Sequence, residues 1–167
     1  MDKEIKTKKR EFDYYIYIDY SENLIGYSII EKNKTKGLLK KITKFRHFKD
    51  ARYKRLYLKN IKNTFERDKL VSYLCKYRID SIWYNMEIFT DIIKFVEDHS
   101  NFDIFISIDD FQFDNFMKLF KVVRDSKNIF LIKESRLKRN SNEEKISLII
   151  DNLLNIYRKK KHERKKR

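Results

Sequence analysis

Runs of aromatic and β-branched residues, separated by polar turns, open the chain. Such runs fill 13–20 and 24–31, which predicts two strands joined by a short turn. A polar turn over 33–37 follows, in which Gly37 is expected to adopt a positive φ, and residues 38–45 predict a third strand. Three strands with short connections predict an antiparallel meander at the start of the fold.

The spacing of apolar positions becomes helical after about residue 56. Leu58, Ile61 and Phe65 lie at helical intervals, which indicates a helix over 56–77. The remaining predicted elements are a strand at 81–84, a helix at 86–99, a strand at 102–109, a helix at 113–123, a strand at 128–133 and a helix from Ser141 or Asn142 to about Lys159. The predicted class is therefore α/β, with a mixed sheet and helices on both faces.

A chain of 167 residues is long enough for one domain with its own hydrophobic core. Residues 1–12 are charged and predict a flexible basic N-terminus. Residues 13–158 carry the predicted elements and form the expected domain, and residues 159–167 predict a basic tail. The sequence does not indicate an oligomeric state.

The net charge of +15 indicates a nucleic-acid partner, RNA or DNA. The charge is unevenly distributed, because residues 32–69 hold 15 Lys or Arg against 3 acids, whereas residues 78–117 hold 9 acids against 2 bases. This pattern predicts a basic rim around an acidic centre. The rim would bind polymer phosphates through the release of their counterions.

Several classes of protein and site are disfavoured by the sequence. No apolar run approaches the length of a membrane span, and the N-terminus lacks a signal-peptide pattern, so we expect no membrane partner and a cytoplasmic location. The single Cys75 excludes an internal disulfide framework and a cysteine-based zinc site. The chain has no glycine-rich phosphate loop.

Aspartates that end or interrupt apolar runs are the strongest chemical signal. Asp19 ends the first strand, Asp109 with Asp110 ends the strand at 102–109, and Asp151 lies within the apolar last helix. A carboxylate in such a place is costly to bury unless it is paired or binds a metal. Asp19 and Asp109 meet at one sheet edge if their strands are neighbours, and Asp110 replaces Asp109 if the register shifts by one.

Several carboxylates in one place select hard cations such as Mg²⁺ or Mn²⁺. Such ions activate water and stabilise the leaving oxygen when a phosphodiester is cleaved. Ser147 and Asn155 lie on the same side of the last helix as Asp151, which predicts that this side faces a cleft. Glu22 and Glu134 are further carboxylates near strand ends.

Four short segments carry a family resemblance. They are Tyr17-Ile18-Asp19-Tyr20-Ser21, Leu58-Lys59-Asn60, Ser107-Ile108-Asp109 and Leu148-Ile149-Ile150-Asp151-Asn152-Leu153-Leu154. In these segments the chain resembles the ribonuclease H-like superfamily, nearest to an uncharacterised branch of it. That branch has a Tyr-Ile-Asp-Glu-Ser-Gly strand end, a Leu-Lys-Gly-Ser segment before a helix, an Ile-Ile-Asp strand end and a Gln-Leu-Ala-Asp-Leu-Ile helix. Tyr20 stands in place of the Glu, and Ile150 in place of the Ala.

The resemblance implies an RNase H-like fold and a metal-dependent nuclease that acts on RNA, DNA or a hybrid. It implies that Asp19, Asp109 and Asp151 bind the metal, that Glu66 from the first long helix joins them in catalysis, and that Lys59 contacts a substrate phosphate. The remaining candidate phosphate contacts come from the basic segments themselves and are Arg52, Lys54, Arg55, Lys159, Lys160 and Lys161.

Two alternatives to a nuclease stay open from the sequence. Tyr20 in place of the Glu favours a catalytically inactive nucleic-acid-binding module with the same fold. The basic tail is also typical of a structural protein that binds RNA or an acidic partner through its end.

Overall fold

A computed structural model of the chain describes residues 10–123 and 128–166. The domain is α/β, with one mixed five-stranded sheet and five α-helices. The strands are β1 (Tyr14–Ser21), β2 (Leu24–Glu31), β3 (Lys76–Ser81), β4 (Ile104–Ile108) and β5 (Ile129–Lys133). The helices are α1 (Lys32–Lys41), α2 (Lys54–Arg67), α3 (Asn85–Asp98), α4 (Asp110–Val123) and α5 (Asn142–Lys165).

The sheet has the strand order β3-β2-β1-β4-β5. β1 pairs antiparallel with β2, which pairs antiparallel with β3. β1 pairs parallel with β4, and β4 parallel with β5. The carboxyl ends of β1, β4 and β5 therefore lie side by side, and we call this part of the sheet the carboxyl edge.

Two hydrophobic cores lie on opposite faces of the sheet. Tyr17 and Phe105 belong to the core that packs under α1, α2 and α5. Ile16 and Ile18 belong to the core that packs under α3 and α4. β4 is buried along its whole length, as expected for a central strand covered on both sides. These observations confirm the predicted mixed sheet with helices on both faces.

The prediction of a third strand at 38–45 is wrong. Residues 32–41 form α1, in which Gly37 is an ordinary helical residue, and no glycine of the described chain has a positive φ. The reason lies in the spacing of Leu38 and Ile42, whose interval of four residues is that of a helix. α1 ends before Phe45, which lies in the loop that follows. All three side chains are buried against α2 and α5.

The predicted helix over 56–77 is also too long. α2 ends at Arg67, Lys69 adopts a left-handed conformation with φ 50°, and residues 70–73 form a 3-10 turn. The third strand of the antiparallel unit is β3, and the predicted strand at 81–84 is instead a 3-10 turn at Ile82–Tyr84. The observed order is therefore ββααβαβαβα rather than a meander of three consecutive strands.

The folded part extends slightly beyond the predicted boundaries. Phe12 is buried, with its ring 5.4 Å from that of Phe105, so the domain begins before residue 13. α5 begins as predicted, because Ser141 caps it by accepting a hydrogen bond from the backbone N–H of Glu144. It then continues as a helix to Lys165 through most of the predicted tail. The predicted flexible residues 1–9 and the last residue, Arg167, lie outside the described residues.

Among the described helices, none combines the length and the apolar character that crossing a membrane would require.

Candidate metal centre

The centre is built on the ends of two neighbouring parallel strands. Asp19 lies near the end of β1, and Asp109 directly follows β4. The register pairs Ile18 with Ile108, and the backbone N–H of Asp109 donates a hydrogen bond to the carbonyl of Ile18 at 3.0 Å. The two carboxylates therefore meet at the carboxyl edge, as the sequence predicts. Asp19 is buried, with only 7% of its surface exposed.

Glu134 completes a group of three carboxylates. It begins the 3-10 turn that follows β5, so the third parallel strand also ends in an acid at this edge. One carboxylate oxygen from each of Asp19, Asp109 and Glu134 lies within 4.8 Å of the other two. From the sequence alone, Glu134 is only a further carboxylate near a strand end. The available signal was its position directly after a strand, the same position that Asp109 occupies.

α5 brings the fourth carboxylate to the same place. Asp151 lies near Asp19, because its charge is among the causes that raise the pKa of Asp19. The Asp151 Oδ2 also accepts a hydrogen bond of 2.9 Å from the backbone N–H of Phe48, in the loop between α1 and α2. Ser147 lines the same cavity as Asp109 and Glu134, so the polar side of α5 faces a cleft here, as predicted.

A glycine lets the neighbouring helix approach the sheet beside Asp19. Gly26 on β2 pairs with Asp19 in the strand register. A Cβ atom at Gly26 would stand 2.9 Å from Ile79 Cγ1, 3.0 Å from the Arg78 carbonyl oxygen and 3.2 Å from Ile150 Cδ1. Ile150 directly precedes Asp151, so this close approach is part of what positions the fourth carboxylate.

Burial and mutual repulsion favour the protonated forms of these acids. The pKa of Asp19 is raised well above its ordinary value, first by burial and then by the charges of Glu134 and Asp151. Burial raises the pKa of Glu134 to about 7, with further contributions from Asp109 and Asp151. The pKa values of Asp109 and Asp151 are also raised, in both cases mainly by burial.

Two basic residues of the α1–α2 loop counteract this repulsion. Lys49 lowers the pKa of Glu134 and of Asp151, and His47 lowers that of Asp151. Both residues line a cavity of about 310 Å³ together with Asp109 and Glu134. The centre thus combines four converging carboxylates with Lys49 and His47 of the α1–α2 loop, and a hard divalent cation would neutralise the charge of the carboxylates.

Two predicted acids lie outside this group. Asp110 begins α4 and points to the loop after β5, where it accepts hydrogen bonds from the backbone N–H of Ser135 at 3.1 Å and its hydroxyl at 2.5 Å. These bonds lower the pKa of Asp110, so it remains charged and holds the residue next to Glu134. Glu66 is exposed on α2 and does not join the carboxylates that converge within the described residues, because it follows the buried Phe65 and faces solvent. Glu22, the other spare carboxylate, forms an ion pair with Arg158 at 3.0 Å.

The predicted phosphate contacts fall into two groups. Lys59, Lys159 and Lys160 line one cavity of about 220 Å³ between α2 and α5, and Lys161 is exposed one residue further along α5. Arg52, Lys54 and Arg55 lie at the exposed start of α2. Lys54 Nζ donates hydrogen bonds to the carbonyls of Lys49 and Ala51, so it also holds the loop that faces the carboxylates.

No protein-family model matches the chain, and no curated protein matches it significantly.

Proposed function

We propose that this chain is a metal-dependent, RNase H-like nuclease that hydrolyses phosphodiesters of RNA, DNA or a hybrid. The observation that carries the proposal is the convergence of Asp19, Asp109 and Glu134 within 4.8 Å at the carboxyl edge of the sheet. The crevice outside the carboxyl ends of strands is where open α/β sheets usually bind ligands. Three strand ends and one helix contribute an acid to this crevice.

The donor set fits Mg²⁺ or Mn²⁺. Carboxylate oxygens are the ligands that these hard cations prefer, and the group contains no sulfur or imidazole ligand. Asp19, Asp109 and Glu134 would bind the cation directly, and Asp151 would complete the site from α5. When bound, the cation would supply an acidified water and stabilise the oxygen that leaves the phosphorus.

The chain's own residues would organise the substrate around this group. Lys49, which lies beside Glu134 and Asp151, would attract the scissile phosphate to the side of the carboxylates that faces the α1–α2 loop. The net charge of +15 would raise the local concentration of a polyanionic substrate. Lys59, Lys159 and Lys160 would bind its backbone further along α5.

The fold assignment within the α/β class has its own support. An antiparallel unit at one side of the sheet continues into parallel strands at the other. Asp19, Asp109 and Asp151, which the motif resemblance implies as metal ligands, lie near enough for the charges of Asp109 and Asp151 to raise the pKa of Asp19. In this proposal, Glu134 would take the role that the resemblance implies for Glu66.

A cleavage panel tests the proposal. Labelled single strands, duplexes, an RNA–DNA hybrid and a structured RNA are incubated with Mg²⁺ or Mn²⁺ and with wild type, Asp109→Asn or Asp114→Asn. Asp114 is an exposed acid on α4, the helix that follows Asp109, and it serves as the matched control. We expect cleavage by wild type and Asp114→Asn only. Salt-sensitive binding without cleavage by wild type would instead favour the binding module.

A further inference from the structure

A larger groove adjoins the carboxylate cavity. It has a volume of about 740 Å³ and lies between the loop that follows α1 and the loop that precedes α5. His47, Ser135, Leu137 and Glu144 line both this groove and the cavity that contains Asp109 and Glu134. We call it the loop groove, and its position makes it a continuous extension of the candidate metal centre.

The loop groove has a cationic rim. Arg46 stands on one wall, and Arg139 and Lys145 stand on the other. All three side chains are exposed, and none of them forms an ion pair with another described residue. The groove also contains Asp50 and Glu144, and Glu144 is engaged as the acceptor of a 3.4 Å hydrogen bond from the backbone N–H of Asn140.

Apolar side chains also line the loop groove. They are Leu39, Phe45, Leu137 and Leu148, and the Phe45 ring packs at 5.5 Å from that of Phe65 in the core. A cationic rim beside apolar side chains suits a ligand with phosphates on one side and flat, weakly polar rings on the other. An unpaired nucleic-acid strand is such a ligand, since its bases are free to turn away from the backbone.

Both walls of the loop groove are held by hydrogen bonds. On one wall the Tyr57 hydroxyl donates to the carbonyl of Arg46 at 2.8 Å and accepts from its backbone N–H at 2.9 Å. Asn152 Nδ2 donates to the same carbonyl at 3.1 Å. On the other wall Ser141 caps α5 and fixes the approach to Lys145. The backbone that carries Arg46 and Lys145 is thus largely preformed, which reduces the entropic cost of binding.

We propose that the loop groove binds a single-stranded segment of nucleic acid and leads it to the carboxylates. This inference rests on the proposed function, because it makes the groove the strand-binding part of that site. Its volume falls within the roughly 300–1,000 Å³ that pockets for drug-sized ligands occupy. The substrate preferred by this protein would be single-stranded next to the scissile bond, because only an unpaired strand can turn its bases toward the apolar side chains of the groove while its phosphates meet the rim.

The test measures binding without cleavage. A short fluorescein-labelled single strand and a duplex of the same sequence are titrated with protein in EDTA over a range of salt concentrations. The variant R46Q/R139Q/K145Q removes the rim cations. The control K94Q/K118Q/K121Q removes the same charge from exposed positions on α3 and α4, across the sheet. Far-ultraviolet circular dichroism checks that both variants are folded.

We expect the rim variant to bind the single strand about tenfold more weakly, with a log–log salt slope smaller by about 2, because three phosphate contacts contribute roughly 0.7 each. The control should keep the wild-type slope. Equal weakening in both variants, no change in the rim variant, or wild-type binding to the duplex alone would overturn the proposal. EDTA removes the metal, so single-strand binding is measured whether or not the protein cleaves any substrate in the panel above. Single-strand binding that persists in Asp19→Asn would show that the loop groove binds nucleic acid independently of the carboxylates.

Discussion

Asp151 accepts a hydrogen bond from the backbone N–H of Phe48, a residue 103 positions earlier in the chain. The bond ties the α1–α2 loop to α5 directly above the carboxylates. It therefore positions His47 and Lys49, which lower the pKa of Asp151, beside the acids whose charge they offset. Asp151 thus contributes a carboxylate to the centre and also fixes the loop that carries His47 and Lys49.

These two roles of Asp151 can be separated by substitution. Asp151→Asn removes the charge but keeps an oxygen that accepts from Phe48, whereas Asp151→Leu removes both. In EDTA at neutral pH we expect Asp151→Asn to be more stable than wild type by on the order of 1 kcal/mol, because repulsion of Asp19 is relieved. Asp151→Leu should be less stable than Asp151→Asn by about 1 kcal/mol, because the partly buried Phe48 N–H loses its partner. Urea denaturation measures both differences, and equal stabilities would contradict the role of the hydrogen bond.

The stability of the metal-free protein should fall as the pH rises. The folded pKa of Glu134 is raised from 4.5 to about 7, so between these values the folded state binds more protons than the unfolded state. The proton-linked contribution is thus greatest below about pH 4.5 and decreases until about pH 7. The loss should be on the order of 3 kcal/mol from Glu134, and Asp19 should add to it in the same direction.

Denaturant unfolding in EDTA at several pH values between about 5 and 8 measures this loss. Glu134→Gln should flatten the profile, because the amide does not titrate, while the exposed Glu66→Gln should leave it unchanged. Saturating Mg²⁺ should restore stability at the upper end of the range. A wild-type profile that rises with pH would contradict the raised pKa values.

Metal binding should depend on Glu134 and not on Glu66. Glu134 lies within 4.8 Å of Asp19 and Asp109, whereas Glu66 is exposed on α2. We expect Glu134→Gln and Asp19→Asn each to weaken Mn²⁺ binding by at least about tenfold, since each removes a carboxylate ligand. Isothermal titration calorimetry measures the affinity. Equal affinities of Glu134→Gln and Glu66→Gln would show that the cation, if bound, sits elsewhere.

The parts of this centre that the sequence predicted are those fixed by strand periodicity. Asp19 and Asp109 each end an apolar run, and a central parallel pair brings such ends together. Glu134 is harder to identify, because the polar segment that follows it resembles a surface loop. Only the motif resemblance points to Glu66. The sequence around Glu66 does not show whether this side chain of α2 faces the carboxylates or the solvent.

The error in the third strand has a similar cause. Segment 38–45 contains enough apolar residues for a strand. The helical signal is weak there, because it consists only of the four-residue interval between Leu38 and Ile42. The true third strand, β3, has no fully buried residue, because it lies at the edge of the sheet. A partly exposed edge strand gives little of the hydrophobic signal on which strand prediction depends.

Gly26 should be intolerant of even one added methyl group. A Cβ there would stand 2.9 Å from Ile79 Cγ1 and 3.0 Å from a backbone carbonyl oxygen, so the neighbouring strand and the Ile150 side chain of α5 would have to move. We expect Gly26→Ala to lower the free energy of unfolding by about 1–3 kcal/mol. Because Ile150 precedes Asp151, the same variant should also weaken Mn²⁺ binding without removing a ligand.

Gly37→Ala is the matched control, since the chain has only these two glycines. Gly37 lies within α1, where an added Cβ meets only the partly exposed Tyr73 ring, at 3.3 Å. A small rotation of that ring relieves the contact, and alanine is favoured over glycine inside a helix by about 1 kcal/mol. Urea denaturation of both variants should therefore shift in opposite directions. A Gly26→Ala protein as stable as wild type, with unchanged Mn²⁺ affinity, would mean that the approach of α5 to β2 does not position Asp151.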